Sequence, residues 1–455
     1  MATFSFIALC AGAFAVAFGY TAVMPLLPQL LAPLLPRASP VTLGWHAGAY
    51  AAVYMLSLVL LSPVWGAAAD RYGAKPVILA GLAGSAAAFI ASPFADTLWG
   101  AYAARALQGA FASAVLPAAT ALLARIADTA ERARKVSALV AASLLGFFVA
   151  PALSAGKGPL LSHDPVPVAL YASGIAALAA LLVVAGMLAR ATPGVVEHVA
   201  EQGHGPPWRF LVLNFLAYLG LGAFEVALPL AARGRLALNP SQVALLFALC
   251  SLVMLAVQGA LMAAARYRAR VEQALVGAVV VYGAGLLLLA AAGSMSMATA
   301  AVGLIAGGSG LVLPFVSYLA TLEVGTRPGA ALGALTAAGG LGQAIGSASG
   351  GALYGYAGQL MFMATAFAVV LGASLACVFR ADGAFSFCRG CAIPGTRRRW
   401  PTVSDTLSAA NKRKEPAHGM AVRKLGLCSG GDRNGRHASF RPPAATAATV
   451  ATTNA

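Results

Sequence analysis

Polar residues are scarce along this chain and fall in short clusters, with long, almost unbroken apolar stretches between them. Twelve such runs can be marked, near residues 4–26, 46–69, 76–94, 97–124, 136–156, 166–189, 208–231, 240–264, 273–293, 296–322, 329–356 and 359–379. A helix needs about 20 mostly apolar residues to cross a bilayer, so the pattern predicts an all-α membrane protein with twelve transmembrane helices. Breakers fall between the runs: Pro36 and Pro40, Pro165 and Pro167, Pro206 and Pro207, Pro240, Pro328. The opening Met1-Ala-Thr-Phe carries no basic stretch. The first run is therefore read as a spanning helix rather than a cleaved signal.

Composition supports lipid as the solvent. Of the 455 residues 60% are hydrophobic and only 10% charged, with mean hydropathy +0.81. Soluble domains carry about a quarter charged residues. Fifty glycines suit helices that pack backbone to backbone. The net charge of +16 first suggests a nucleic-acid partner, but its placement argues against one. Residues 1–380 hold 18 basic and 10 acidic side chains, and residues 381–455 hold 12 and 4, so each part carries +8.

With twelve helices, alternate connections lie on alternate sides. One set holds 12 basic residues: Arg71, Lys75, Arg125, Arg132, Arg134, Lys135, Arg190, Arg209, Arg266, Arg268, Arg270 and Arg327. The other holds 4: Arg37, Lys157, Arg233 and Arg235. The positive-inside bias places the richer set, and with it both termini, in the cytoplasm. An error of one helix would overturn that topology.

The halves echo each other at a spacing of six helices. The second run exits through Ala69-Asp70-Arg71-Tyr72-Gly73-Ala74-Lys75, and the eighth through Ala264-Ala265-Arg266-Tyr267-Arg268-Ala269-Arg270. The expected domains are a first six-helix bundle over 1–189, a cytoplasmic linker over 190–207 and a second bundle over 208–380. A basic tail over 381–455, rich in Ala, Thr, Ser, Pro and Gly, is expected to be disordered. Cys388, Cys391, Cys428, His418 and His437 in that tail lack the paired spacing of a zinc site, so neither metal nor cofactor is expected.

The stretch Gly66-Ala-Ala-Ala-Asp70-Arg71-Tyr72-Gly73-Ala74-Lys75 resembles the loop signature G-x-x-x-D-R-x-G-x-K of the major facilitator superfamily. Physically, Gly66 lets helices approach, Asp70 can cap the next helix, and Gly73 can take a positive φ. Arg71 and Lys75 hold the cytoplasmic side and can pair with carboxylates. The resemblance implies a gating role for this loop, locking the outward-facing state. It also implies the superfamily fold: two pseudo-symmetric six-helix bundles around a central site, with alternating access. Arg105-Ala-Leu-Gln108-Gly109 on the fourth run resembles the R-x-x-Q-G signature of proton-coupled members. A charge inside an apolar run is expensive, so function is the default reading, and the resemblance makes Arg105 and Gln108 candidates for proton coupling; snorkelling to the outer interface is the alternative. Gly146-Phe-Phe-Val-Ala150-Pro151-Ala-Leu-Ser154 resembles the antiporter signature on helix 5, with Ala150 and Ser154 replacing two glycines. It favours export over uptake, or else marks a Pro-kinked, closely packed helix.

Glu225 is the one carboxylate deep in an apolar run. A carboxylate there suits reversible protonation, so Glu225 is a candidate for proton coupling or substrate binding. Pairing with Arg233 or Arg235 at the outer lip is the other possibility. The first run has no Asp or Glu, unlike many exporters of this branch. Candidate cavity residues are Tyr20, Tyr50, Tyr54, Asn214, Tyr218, Gln258, Ser317, Tyr318 and Gln343; each could equally be packing. Gly342, Gly346 and Gly350, and Gly303 and Gly307, are read as intramolecular packing faces.

No phosphate-binding G-x-x-x-x-G-K loop and no nucleophile–base set is present, so neither ATP-driven export nor an enzyme is indicated. The expectation is a monomeric secondary transporter of a small organic molecule in a bacterial inner membrane. It couples to protons and leans towards efflux, as in the drug:proton antiporter branch. Metabolite uptake, or a sensor using the basic tail, are the alternatives.

Overall fold

A computed structural model of the chain describes residues 3–124, 126, 128–155, 164–188, 207–263, 271–324 and 328–384. The linker over 190–206 and the tail beyond 384, with their histidines and cysteines, lie outside the described residues. The described residues form twelve long helices, matching the twelve apolar runs.

Helix α1 comprises Thr3–Val23 and continues through a 3-10 turn, Met24–Leu26, into Leu27–Leu31. Then come α2 (Pro40–Tyr72), α3 (Ala74–Ala91) and α4, which runs Leu98–Ala112 and resumes as Val115–Ala124. The first half ends with α5 (Thr129–Ala155) and α6 (Pro165–Met187). The second holds α7 (Trp208–Arg233), α8 (Pro240–Ala263), α9 (Val271–Ala291), α10 (Met295–Val324), α11 (Pro328–Ala357) and α12 (Leu360–Ala384). Ten of these are long and apolar enough to cross a membrane among the described residues. The exceptions are glycine-rich α11 and α12, whose described apolar stretch is the shorter Leu360–Ser374.

Local chemistry sets the helix ends. Ser39 caps α2 by accepting from the Thr42 amide, and Thr97 caps α4 from the Gly100 amide. Asp164 does the same for α6 with the Val166 amide, and Pro165 occupies its first position. Gly73, at φ +88°, ends α2 and starts α3 within one residue, as its place in the loop predicts.

Packing repeats with the six-helix shift. In the first half α1 packs on α5 and α3 on α6, while α2 packs on α4; in the second α7 packs on α11, α9 on α12 and α8 on α10. The two most extensive contacts between the halves, α2 with α11 and α5 with α8, are related by the same shift. This is the two-bundle architecture of the major facilitator fold.

Glycine makes the closest crossings, because lipid offers no hydrophobic drive for helix pairing and backbone contact must supply it. A Cβ on Gly342, Gly346 or Gly350 would lie 2.2, 2.1 or 2.5 Å from the α7 backbone at Phe215, Leu219 or Ala223. The ladder on α11 therefore packs within its own half. The opposite rail of α11 meets α2: a Cβ on Gly351 would lie 2.4 Å from the Gly44 carbonyl oxygen. Gly303 and Gly307 differ from their reading as a packing face: nothing lies within 4 Å of a Cβ at either.

The seam between α2 and α11 involves the first turns of α2 and the last turns of α11, so it closes the end opposite the termini. At that end Arg233 of α7 also donates to the Pro28 carbonyl of α1, at 3.2 Å. At the end bearing the termini, Gly66 on α2, Gly259 on α8 and Gly333 on α11 have no neighbour within 4 Å of a Cβ position. The α2–α11 seam and the Arg233–Pro28 bond thus seal the two halves together at the end opposite the termini.

Candidate functional site

Within the membrane-spanning helices, nearer the end opposite the termini, five helices bring a charged and aromatic cluster together. Gly109 lets α4 ride on α2: a Cβ there would lie 2.3 Å from the Tyr54 carbonyl oxygen. One turn earlier, Arg105 is thereby pressed among aromatic rings. It is 0% exposed, and its Cζ lies 4.4 Å from the Tyr54 ring centroid, 5.2 Å from that of Tyr50 and 5.5 Å from that of Tyr20. Cation–π attraction is strongest in such dry settings, about 2 kcal/mol per pair. Arg105 therefore turns inward and does not snorkel to an interface.

Its Nη1 donates to Gln108 Oε1 at 3.1 Å, and Gln108 Nε2 donates to Ser92 Oγ at 2.7 Å. Ser92 Oγ donates in turn to the Ala88 carbonyl at 2.7 Å. The Arg105–Gln108 pair was legible one turn apart on α4. Ser92, which orients the Gln108 amide, was not singled out in the sequence, because a serine at the end of a helix is unremarkable there.

Across the midline stands Glu225 on α7. Its Oε2 accepts from Tyr20 Oη at 2.5 Å and from Gln343 Nε2 at 3.0 Å. Gln343 Nε2 also reaches Tyr20 Oη at 3.1 Å. Tyr20 belongs to the first half, Glu225 and Gln343 to the second, so one carboxylate oxygen is hydrogen-bonded across the halves. The lip alternative for Glu225 is not realised. Arg233 bonds to Pro28, and Arg235 bonds to the Ala290 and Leu289 carbonyls and to Gln359. Nor do Arg105 and Glu225 pair directly; the Tyr20 ring stands between them.

The other cavity candidates divide. Asn214 donates to the Leu335 carbonyl at 2.6 Å, tying α7 to α11. Tyr218 lies against Gly339 at the same contact. Gln258 on α8 and Tyr318 on α10 are half-buried and take no part in the hydrogen bonds of the central cluster; Ser317 bonds within its helix to Leu313. On α5, Gly146 faces the Phe14 carbonyl of α1, 2.4 Å from a Cβ position, while Pro151 lies inside the helix. A residue pair not anticipated is His46 and Tyr102, whose Nδ1 and Oη are 2.9 Å apart towards the sealed end.

The loop at the end bearing the termini is tied down through Lys75. Lys75 Nζ donates to the Ala185 and Leu188 carbonyls at 2.9 and 2.5 Å, capping α6, where a cation meets the negative end of a helix. Lys75 thus meets carbonyls rather than the carboxylates expected. Arg71 rests 5.3 Å from its neighbour's ring, Tyr72. Asp70 is exposed and, among the described residues, makes no hydrogen bond or ion pair. The cap expected of Asp70 is not made, because Gly73 starts α3 and Asp70 still lies in the last turn of α2. The close approach expected at Gly66 is likewise absent. Nearby, Lys135 bonds to Glu131 at 2.5 Å and holds that carboxyl below its usual range.

Residues 9–210 match the sequence model of the Major Facilitator Superfamily. Among curated proteins the chain is similar to the class G tetracycline resistance protein of Vibrio anguillarum, 30% identical over 46% of this chain and 50% of that protein. It is similar to the class C tetracycline resistance protein of Escherichia coli, 30% identical over 35% of this chain and 39% of that one. It also matches the multidrug resistance protein MdtG of Erwinia billingiae, 32% identical over 22% and 24%. The chain thus spans half or less of the length of these relatives. Among solved structures, the human organic anion transporter MFSD10 (TETRAN) shares the fold at TM-score 0.62 and 20% identity, over 82% of this chain and 99% of that one. A D-xylose–proton symporter does so at TM-score 0.67 and 14% identity, over 82% and 96%.

Proposed function

We propose that this chain, whose fold is that of the major facilitator superfamily and whose residues 9–210 match that superfamily's sequence model, is a secondary transporter that exports a small organic molecule in exchange for protons. It is a multi-pass membrane protein with both termini in the cytoplasm, and it is not an enzyme. The relatives named for tetracycline and multidrug resistance support export. Both halves of the site come from one chain, so a monomer suffices.

The observation that carries the reading is the bond from Tyr20 to Glu225, with Gln343 on the same oxygen. Hydrogen bonds to an ionised acceptor are roughly twice as strong as neutral ones. The bridged carboxylate therefore holds the empty, proton-free carrier closed at its outer end. Two events loosen the bridge: protonation, which weakens Oε2 as an acceptor, and a substrate arriving from the cytoplasmic end that competes for Tyr20 or Gln343. A carrier that turns over only when one of these has occurred exchanges the two without leaking either. Alternating access between the α2–α11 and α5–α8 seams completes the cycle.

The test is proton flux in vesicles containing the purified chain, with an imposed pH gradient and a panel of amphipathic drugs. A substrate should dissipate the gradient in the wild type. Glu225→Gln, which keeps the shape and a hydrogen-bonding side chain, should remove that response while the protein still inserts. Undiminished proton movement in the variant would place the coupling proton elsewhere.

A further inference from the structure

Among the described residues, Arg105 is a buried cation that forms no ion pair. Its guanidinium carries five donors. Only Nη1 has a partner, and that partner is the neutral Gln108 amide. Nε and Nη2 are buried and bonded to nothing, and the Tyr54 hydroxyl beside them is also buried and unbonded. Nε and Nη2 form one edge of the guanidinium, the fork whose spacing matches the two oxygens of a carboxylate. Every unused polar atom in this part of the cluster can donate, and none is a group that only accepts. A buried charge at membrane depth persists where something balances it. Glu225 feels that charge across the Tyr20 ring but forms no ion pair with it, its Oε2 facing Tyr20 and Gln343, so the guanidinium edge itself stays unpaired.

We infer that the Nε–Nη2 edge of Arg105, with the Tyr54 hydroxyl, is an anion subsite, and that the molecule carried is an organic anion with a carboxylate or similar flat oxyanion on an aromatic body. The inference rests on the transporter reading and names the substrate class for it. Tyr20, Tyr50 and Tyr54 present ring faces around the guanidinium, and such faces suit an aryl group. Gln108 and Ser92 are positioning residues: they hold Nη1 and so aim the opposite edge of the fork. An inside-negative membrane potential drives an anion outward, in keeping with export.

Equilibrium binding to the full chain in detergent tests this separately from transport. Three probes share one ring system: 1-naphthaleneacetate, its neutral amide and 1-naphthylmethylamine. The wild type should bind the carboxylate at least tenfold more tightly than the amide or the amine. Tyr54→Phe, which keeps the ring, should weaken the carboxylate several-fold and leave the amide unchanged. Arg105→Lys, which keeps the charge and loses the fork, should remove the preference for the carboxylate. Equal binding of the three probes by the wild type, or no carboxylate binding at millimolar concentration, overturns the subsite whether or not the variants fold. Carboxylate preference without proton flux would keep the subsite and sink the antiport reading; flux without carboxylate preference would do the reverse.

Discussion

At the scale of single residues, Glu225 and Tyr20 define the site because each is the other's partner across the two halves. Removing the phenol oxygen deletes a hydrogen bond to a charged acceptor, an interaction of about 1.5–3 kcal/mol. Tyr20→Phe should therefore shift the balance towards conformers open at the α2–α11 end by about tenfold or more, since 1.4 kcal/mol is a factor of ten. Distances between spin labels on loops 32–39 and 234–239 would report it, and an unchanged distribution would mean the bond does not hold that end. Glu225 could be picked out as a lone carboxylate in an apolar run, and Arg105 with Gln108 by their spacing. Tyr20 and Gln343 were recognisable only as two polar residues among nine, because the bonds that single them out join positions 205 and 323 residues apart.

Helices decide which end is closed. The α2–α11 seam depends on the absence of side chains at Gly44, Gly48, Gly351 and Gly355. Gly351→Val places new atoms against the Gly44 carbonyl, and overpacking of this kind costs about 1–3 kcal/mol. The variant should favour opening at that end and slow transport without preventing insertion; wild-type flux with wild-type label distances would count against the seam as a gate. At the opposite end, Asp70 makes no hydrogen bond or ion pair among the described residues, and nothing lies within 4 Å of a Cβ position on Gly66. A loop that acts as a latch must find its partner when that end closes. Asp70→Asn should accordingly leave the present conformer intact and reduce flux several-fold, whereas unaltered flux would remove the latch. The loop's residues were legible in the sequence, and so was the positive φ of Gly73. The Lys75 bonds to the end of α6 were not, since they join positions more than a hundred residues apart.

For the molecule as a whole, the basic tail is the part the site does not use. Truncation after Ala384, where α12 ends, should leave most of the flux in vesicles; complete loss would favour the sensor alternative. Long apolar runs with sparse charges determined by themselves that this chain is helical, that its helices number twelve and that they belong in lipid, because burial of backbone polar groups in a bilayer leaves few other structures. The six-helix repeat could likewise be read from the chain. Tertiary structure alone decided which glycines bind helices together, so that Gly342 and Gly351 pack while Gly303 and Gly307 do not. It alone decided that Arg105 is caged by tyrosines, and that Glu225 answers to Tyr20 rather than to Arg233. The reason is physical: in a membrane nearly every helix face is apolar, so the hydrophobic pattern along the chain does not distinguish a face that meets lipid from one that meets another helix.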